Sequence, residues 1–159
     1  MSSHLSCVDL NRARPSNSVT VSPHILSLSN RRDELHRLSL FVDQFCELAR
    51  VPDEDRRSFQ VALEEVAMNI IEHGYKCAEA GHFTVSMEVK EDRLTAVVTD
   101  RAPAYDPLAR AEVNLNLPFD QRPIGGLGVH LVKKLMDARY ERRGDCNILT
   151  LSRTLLSRP

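Results

Sequence analysis

Residues 65–75 read EVAMNIIEHGY, and polar residues recur there at every fourth position beside an apolar stripe. Glu65, Asn69 and His73 fall on one line along an α-helix, because each residue advances by about 100°. This places a carboxylate and a carboxamide at the edge of a core. The carboxylate could act as a general base and the carboxamide oxygen could bind Mg²⁺, which prefers hard oxygen ligands. The alternative is an ordinary solvated helix face.

Helices and strands can be placed on both sides of this segment. It belongs to a helix predicted from Asp53, which can cap it, to about Glu72 or His73. The other predicted elements, in chain order, are an edge strand at 19–28, a helix at 31–50, a hairpin of strands at 83–89 and 94–99, a proline-rich loop at 101–124 with a helical turn around 109–113, a helix at 127–138, and strands at 139–141 and 148–155. The order predicts one two-layer α+β domain at 19–159, a mixed sheet or an antiparallel one with helices on one face. Residues 1–18 are expected to form a flexible N-terminal arm.

Composition excludes several classes of function. The 159 residues carry 21 Lys and Arg against 22 Asp and Glu, so no net field favours nucleic acid or an anionic membrane. No apolar run is long enough to cross a bilayer, which leads us to expect a cytoplasmic protein. The four cysteines show neither zinc spacing nor a paired motif and are interpreted as free thiols; they are Cys7, Cys46, Cys77 and Cys146.

Asp100 is the second candidate, because it follows directly on the apolar run at 94–98 and opens the stretch DRAPAYDP. A carboxylate at the mouth of a strand can accept a hydrogen bond from an exocyclic amine, which distinguishes adenine from guanine. The alternative is an aspartate that only forms a turn at the end of a strand.

The third candidate is a glycine-rich turn before the last helix, formed by Gly125, Gly126, Leu127 and Gly128. Glycine lets backbone N–H groups approach a phosphate, and the first turn of the helix adds unpaired donors. Arg122 could reach a terminal phosphate from the preceding loop. The alternatives are a flexible linker and an ordinary exposed arginine.

The order of these three segments resembles the GHKL ATPase superfamily, and within it the anti-sigma-factor serine/threonine kinases of the RsbW-like type. The resemblance covers roughly residues 25–155. Residues 65–75 are similar to the family's N box and residues 100–107 to its first nucleotide box. Residues 124–137, IGGLGVHLVKKLMD, are similar to its second box. The resemblance implies a GHKL sandwich with a loop that covers ATP.

The resemblance also implies roles for single residues. Asn69 would bind Mg²⁺, Glu65 would be the base that activates a serine, and Asp100 would bind the adenine amine. The remaining residues of the implied ATP site are His73, Ala102, Arg122, Gly125, Gly126, Leu127 and Gly128. One departure stands out, because the family has glycine where this chain has Ala102, and alanine restricts φ and adds a methyl group near the nucleotide.

Three functions are compatible with these features. The first is an ATP- and Mg²⁺-dependent serine/threonine kinase that phosphorylates a STAS-domain anti-sigma antagonist, sequesters a sigma factor and, by family resemblance, forms a homodimer. The second, motivated by Ala102, is a non-catalytic or weakly ATP-binding module that acts by sequestering a partner. The third, the catalytic domain of a histidine kinase, fits less well, because His36 lies in an amphipathic helix rather than in a dimerisation helix pair.

Overall fold

The structure is a computed structural model that describes residues 20–75, 80–109 and 127–155. The expected arm at 1–18, most of the proline-rich loop and three candidates for the ATP site lie outside these residues; the three candidates are Arg122, Gly125 and Gly126. Of Leu127, only the backbone belongs to the described part. The division of the chain into an arm and one domain therefore remains a prediction.

The described strands form one five-stranded sheet in the order β1-β2-β3-β5-β4. All neighbouring strands are antiparallel, which confirms the α+β class and favours the antiparallel alternative over the mixed sheet. The strands are β1 (Val21–Ser29), β2 (His82–Lys90), β3 (Arg93–Asp100), β4 (Asp137–Arg143) and β5 (Cys146–Thr154). Because β5 pairs with both β3 and β4, the last strand of the chain lies inside the sheet.

The helices are α1 (Leu35–Leu48), α2 (Asp53–Asn69) and α3 (Leu127–Leu135). A single turn of 3₁₀ helix at Arg32–Glu34 precedes α1. The α-helical part of α2 ends at Asn69, and a π-helical turn at Ile70–Gly74 continues it. Within the described residues, no helix has the length and apolar character required to span a membrane.

Three local predictions need correction. Asp53 does not cap α2, because it is the first helical residue and Pro52 occupies the cap position. The last helix ends at Leu135, and Ala138 lies in β4, where it pairs with Leu151. The predicted helical turn around 109–113 is observed earlier, as a 3₁₀ turn at Pro107–Ala109, and residues 110–113 lie outside the described residues.

β1 is an edge strand, as predicted, and its pairing with β2 is interrupted between Val21 and His24. Pro23 lies inside this irregularity. Proline has no N–H to donate to a neighbouring strand, and such residues are tolerated at edges and bulges.

The core lies between the helices and one face of the sheet. Its largest fully buried side chains include Phe45 on α1, Phe59 on α2 and Phe83 on β2. Alternate residues of β2 and β3 point into it, which is why the period of two in the sequence identified this hairpin. The packing holds α2 against the sheet and so fixes the position of Asn69 relative to the end of β3.

Candidate functional site

A cavity opens where the C-terminal end of α2 meets the ends of β3 and β5. The empty space between its walls is about 480 Å³, a figure that includes the part open to solvent. Its lining is mostly apolar, with three amide or carboxylate side chains, Asn69, Asp100 and Asn147. An apolar wall with few polar groups is typical of a pocket that binds a small molecule in one orientation.

Asp100 is the last residue of β3, and only 8% of it is exposed. Its Oδ1 accepts two hydrogen bonds of 2.8 Å, one from the backbone N–H of Ala102 and one from Nδ2 of Asn147. A carboxylate has two oxygens, each with two acceptor positions. Both of these bonds reach Oδ1, so Oδ2 is the oxygen that can accept a hydrogen bond from a ligand.

Asn147 was missed by the sequence analysis. It is 6% exposed and lies directly opposite Asp100 in the pairing of β3 with β5. Its Oδ1 accepts hydrogen bonds of 2.8 Å from the Tyr140 hydroxyl and from Nη1 of Arg142. One signal in the sequence could have identified it: it is the polar first member of the inward series Asn147, Leu149, Leu151.

Ala102 lines the same cavity and is 3% exposed. Its backbone has no left-handed φ, because Arg50 and Glu91 are the only non-glycine residues with positive φ in the part of the chain that the structure describes. A Cβ placed on Gly74 would lie 3.4 Å from the Ala102 methyl group. The backbone therefore accommodates alanine at this position without strain, and the small residue at 74 leaves space for its methyl group.

Asn69 is the last residue of α2, and His73 lies in the π-helical turn that follows. Asn69 is half-buried and lines the cavity, whereas His73 is exposed, with Nε2 3.9 Å from the Glu72 carboxylate, and does not line it. The expected stripe assumed 3.6 residues per turn, but a π-helical turn bonds residue i to i+5 and changes the angular spacing. π-Helical turns are frequent at functional sites, and this one directly follows Asn69.

Glu65 lies next to the first turn of α3 rather than in the cavity. A Cβ added to Gly128 would overlap the Glu65 carboxylate, so this carboxylate lies directly against the Gly128 backbone. A larger residue at 128 would therefore displace the Glu65 carboxylate, and α2 and α3 meet at this point. The structure thus brings together two predicted residues that are far apart in the sequence.

Tyr75 joins the N-box segment to the start of the next box. Its hydroxyl donates to the His82 carbonyl at 2.8 Å and accepts the N–H of Arg101 at 3.1 Å. These two bonds hold the end of the π-helical turn beside the residue that follows Asp100. They fix the spacing between Asn69 and Asp100 on the two sides of the cavity.

The donor set agrees with Mg²⁺ bound largely through phosphates. No group of three or more His, Cys, Asp or Glu side chains with metal-binding geometry occurs in residues 20–75, 80–109 and 127–155. Mg²⁺ in nucleotide sites usually keeps several waters and takes one or two protein oxygens plus the phosphates. Asn69, with a carboxamide oxygen at the cavity, fits that requirement.

The chain has an antiparallel sheet with helices on one face, which is the fold expected of the GHKL class, and a mostly apolar cavity that contains a buried carboxylate. Residues 28–153 match the family model described as histidine kinase-like ATPase domain. Because the match covers most of its length, the chain belongs to this family.

Relatives of known name give the comparison more detail. The serine-protein kinase RsbW of Bacillus cereus (strain ATCC 10987 / NRS 248) is 33% identical over 88 residues, which are 53% of this chain and 54% of that protein. RsbW of Halalkalibacterium halodurans is 28% identical over 109 residues, 66% of this chain and 65% of that protein. The chain thus spans about half to two thirds of the length of these curated relatives.

A solved structure is similar as well. The crystal structure of the RsbU and RsbW domains of a Mycobacterium tuberculosis protein covers 85% of this chain with a TM-score of 0.61. The identity is 18%, and the alignment covers 33% of that longer chain. This likeness confirms the fold that the sequence resemblance implied.

Proposed function

We propose that the protein is an ATP-dependent serine/threonine kinase that phosphorylates a STAS-domain anti-sigma antagonist and sequesters a sigma factor. The observation that carries the proposal is that Asn69 and Asp100, from separate boxes, line one cavity. The names of the RsbW relatives support serine as the acceptor. The proposed reaction uses ATP, and we propose that it takes place in the cytoplasm.

The purine would bind in the cavity. Oδ2 of Asp100 accepts the exocyclic amine of adenine, while Val98 and Leu149 provide apolar wall for the ring. Because Oδ1 already accepts two hydrogen bonds, the orientation of the carboxylate is fixed and Oδ2 is left for the ligand. A purine with a carbonyl group at this position would place two acceptors against each other.

The phosphates would extend from the cavity towards Asn69 and the first turn of α3. Bound Mg²⁺ would supply charge neutralisation for the phosphates. Asn69 contributes a carboxamide oxygen, and the N-terminal turn of α3 at Gly128 offers backbone N–H groups. Glu65, which lies against Gly128, accepts the proton of the partner's hydroxyl group. The hydroxyl oxygen then bonds to the terminal phosphorus, and ADP leaves.

Neighbouring glutamates allow a matched test of the base. Glu65 is half-buried against α3, and Glu64 is exposed on the same helix. We expect Glu65→Gln to slow the transfer of radiolabelled phosphate to a purified STAS-domain partner by about 10²- to 10⁴-fold, the usual contribution of a general base, with ATP affinity retained. Glu64→Gln should transfer phosphate like the wild type. Equal rates for the two variants would remove Glu65 from this role.

Nucleotide binding itself is tested by calorimetry with ATP, with and without Mg²⁺. The wild type should bind, and Asp100→Asn should bind far more weakly, because the variant presents one acceptor oxygen fewer to the purine. The second hypothesis, a module that only sequesters its partner, was motivated by Ala102, but its φ is compatible with alanine. An undetectable signal at millimolar ATP would nevertheless favour that hypothesis over the kinase.

We also propose, from the family resemblance, that the protein forms a homodimer. Sedimentation analysis of the purified protein tests it, and a single monomeric species at micromolar concentration would contradict it.

A further inference from the structure

The side-chain amide of Asn147 lies in the wall of the cavity, between the Asp100 carboxylate and the donor groups of Tyr140 and Arg142. Its Nδ2 donates to Oδ1 of Asp100 at 2.8 Å and lies 3.2 Å from the Ala102 carbonyl and 3.3 Å from the Pro103 carbonyl. On the other side of the amide, Oδ1 accepts from Tyr140 and Arg142, both at 2.8 Å. The side chain is therefore engaged at both ends.

The partners of Asn147 fix which end of the amide faces Asp100. Arginine has no acceptor, so the group beside Arg142 must be the amide oxygen. A flipped amide would place its NH₂ against the guanidinium group and its oxygen against the Asp100 carboxylate, and both contacts would be repulsive. Arg142 thus determines the orientation from the edge strand β4, although it is itself an exposed residue.

Arg142 also connects this network to the loop after β3. The same Nη1 donates to the Ala102 carbonyl at 3.0 Å, and Nε donates to the Gly144 carbonyl at 3.1 Å. The β4–β5 hairpin therefore holds both the carboxylate and the backbone at Ala102. Arg142 and Asn147 lie outside the three boxes that carry the family resemblance.

We propose that Asn147, oriented by Arg142 and Tyr140, is the positioning residue that presents Oδ2 of Asp100 to an amino group of the purine. The inference rests on the proposed nucleotide site and names the residue that makes this site select purines with an amino group. Asn147 and Ala102 occupy Oδ1, so the free acceptor is held at a fixed place in the cavity. The chemical class selected is a purine triphosphate with an exocyclic amine.

The test compares two ligands that differ only in that amine. Calorimetry with ATP and with purine riboside triphosphate, which lacks the 6-amino group, measures how much the contact with Asp100 contributes to binding affinity. We expect the wild type to prefer ATP by about tenfold or more, the size of one hydrogen bond to a charged group. Asn147→Leu, similar in size but without polar atoms, should reduce this preference severalfold.

A second variant avoids disturbing a buried position. Arg142→Met removes one donor to the amide and leaves the Tyr140 hydroxyl, so the preference for ATP should fall by less than in Asn147→Leu. Arg143→Met is the matched control, because the neighbouring Arg143 pairs with Glu141 at 2.8 Å outside this network. It should retain the wild-type preference. Thermal unfolding of each variant confirms that it is folded.

The outcomes separate this inference from the proposed function. If Asn147→Leu weakens both ligands equally and keeps the preference for the amine, Asn147 only supports the fold and the inference is overturned. The inference alone also fails if the wild type prefers ATP and neither variant changes that preference. A wild type that binds neither ligand overturns the proposed function together with the inference.

Discussion

Loss of the Asp55 carboxylate is expected to destabilise the protein strongly, because it leaves the partly buried Arg153 guanidinium without its buried partner. Asp55 in the first turn of α2 is fully buried, with Oδ1 2.8 Å from Nε of Arg153 on β5. Nη1 of Arg153 also donates to Ser58 Oγ at 3.0 Å. Removing one partner of a buried ion pair costs about 3–5 kcal/mol. Because the Arg153 side chain is 23% exposed and retains some water, Asp55→Ala should cost about 3 kcal/mol, the lower end of that range.

Urea and thermal unfolding measure this change. At the size of this chain, 1 kcal/mol corresponds to about 2–4 °C in Tm, so Asp55→Ala should lower Tm by about 6–12 °C. The m-value should stay the same, because the surface exposed on unfolding hardly changes.

The residue before Asp55 is the control. Glu54 pairs with the same Arg153 at 3.5 Å, but its side chain is 67% exposed. Glu54→Ala should therefore cost less than about 1 kcal/mol. If Asp55→Ala and Glu54→Ala had equal free energies of unfolding, burial would not be what makes the Asp55 pair important, and the argument would be refuted.

Three further predictions concern the site, the thiols and the response to acid. Gly128→Ala adds a methyl group where the Glu65 carboxylate lies, so it should slow phosphate transfer. Tm should stay equal or rise, since alanine favours helix over glycine by about 1 kcal/mol. Full transfer activity would contradict this prediction. Burial raises the pKa of the Cys46 thiol to about 12, so mass mapping at pH 8 should find Cys146 modified by a thiol reagent and Cys46 protected until unfolding. Hydrogen bonds from Arg56 and then Gln60 lower the pKa of Asp43, so this carboxylate stabilises the fold above its unfolded pKa and loses that effect as the pH falls through its folded pKa. Asp43→Asn should therefore reduce the loss of stability on acidification below about pH 4, and an unchanged acid unfolding profile would count against the interaction.

Elements with a regular period were predicted correctly from the sequence. The alternation in β2 and β3 and the spacing of apolar residues in α1 and α2 reflect burial on one face, which depends on local order along the chain. The segments after Leu135 were harder. Ala138 continues a helical pattern, but pairing with Leu151 places it in a strand, so a contact made far along the chain overrides local preference.

Site residues could be predicted where the adjacent sequence indicates their role. They could not be predicted where the role depends on pairing with a distant segment. Asp100 and Asn69 could be named from their own neighbourhoods, and both line the cavity. Asn147 could not, because its importance depends on the register that places it opposite Asp100. His73 lies outside the cavity for a related reason, since the π-helical turn has no signature in the spacing of EVAMNIIEHGY.

The position of β5 inside the sheet has a consequence for how the protein is made. During synthesis, β3 leaves the ribosome well before the strand that covers its free edge. Until Cys146–Thr154 follows, Asp100 has no Asn147 beside it and Asp55 has no Arg153. Contacts between distant segments form slowly, because a long loop must close first. A nascent chain should therefore lack the proposed nucleotide site until the β4–β5 hairpin has docked, so the site forms only when nearly all of the domain has been synthesised.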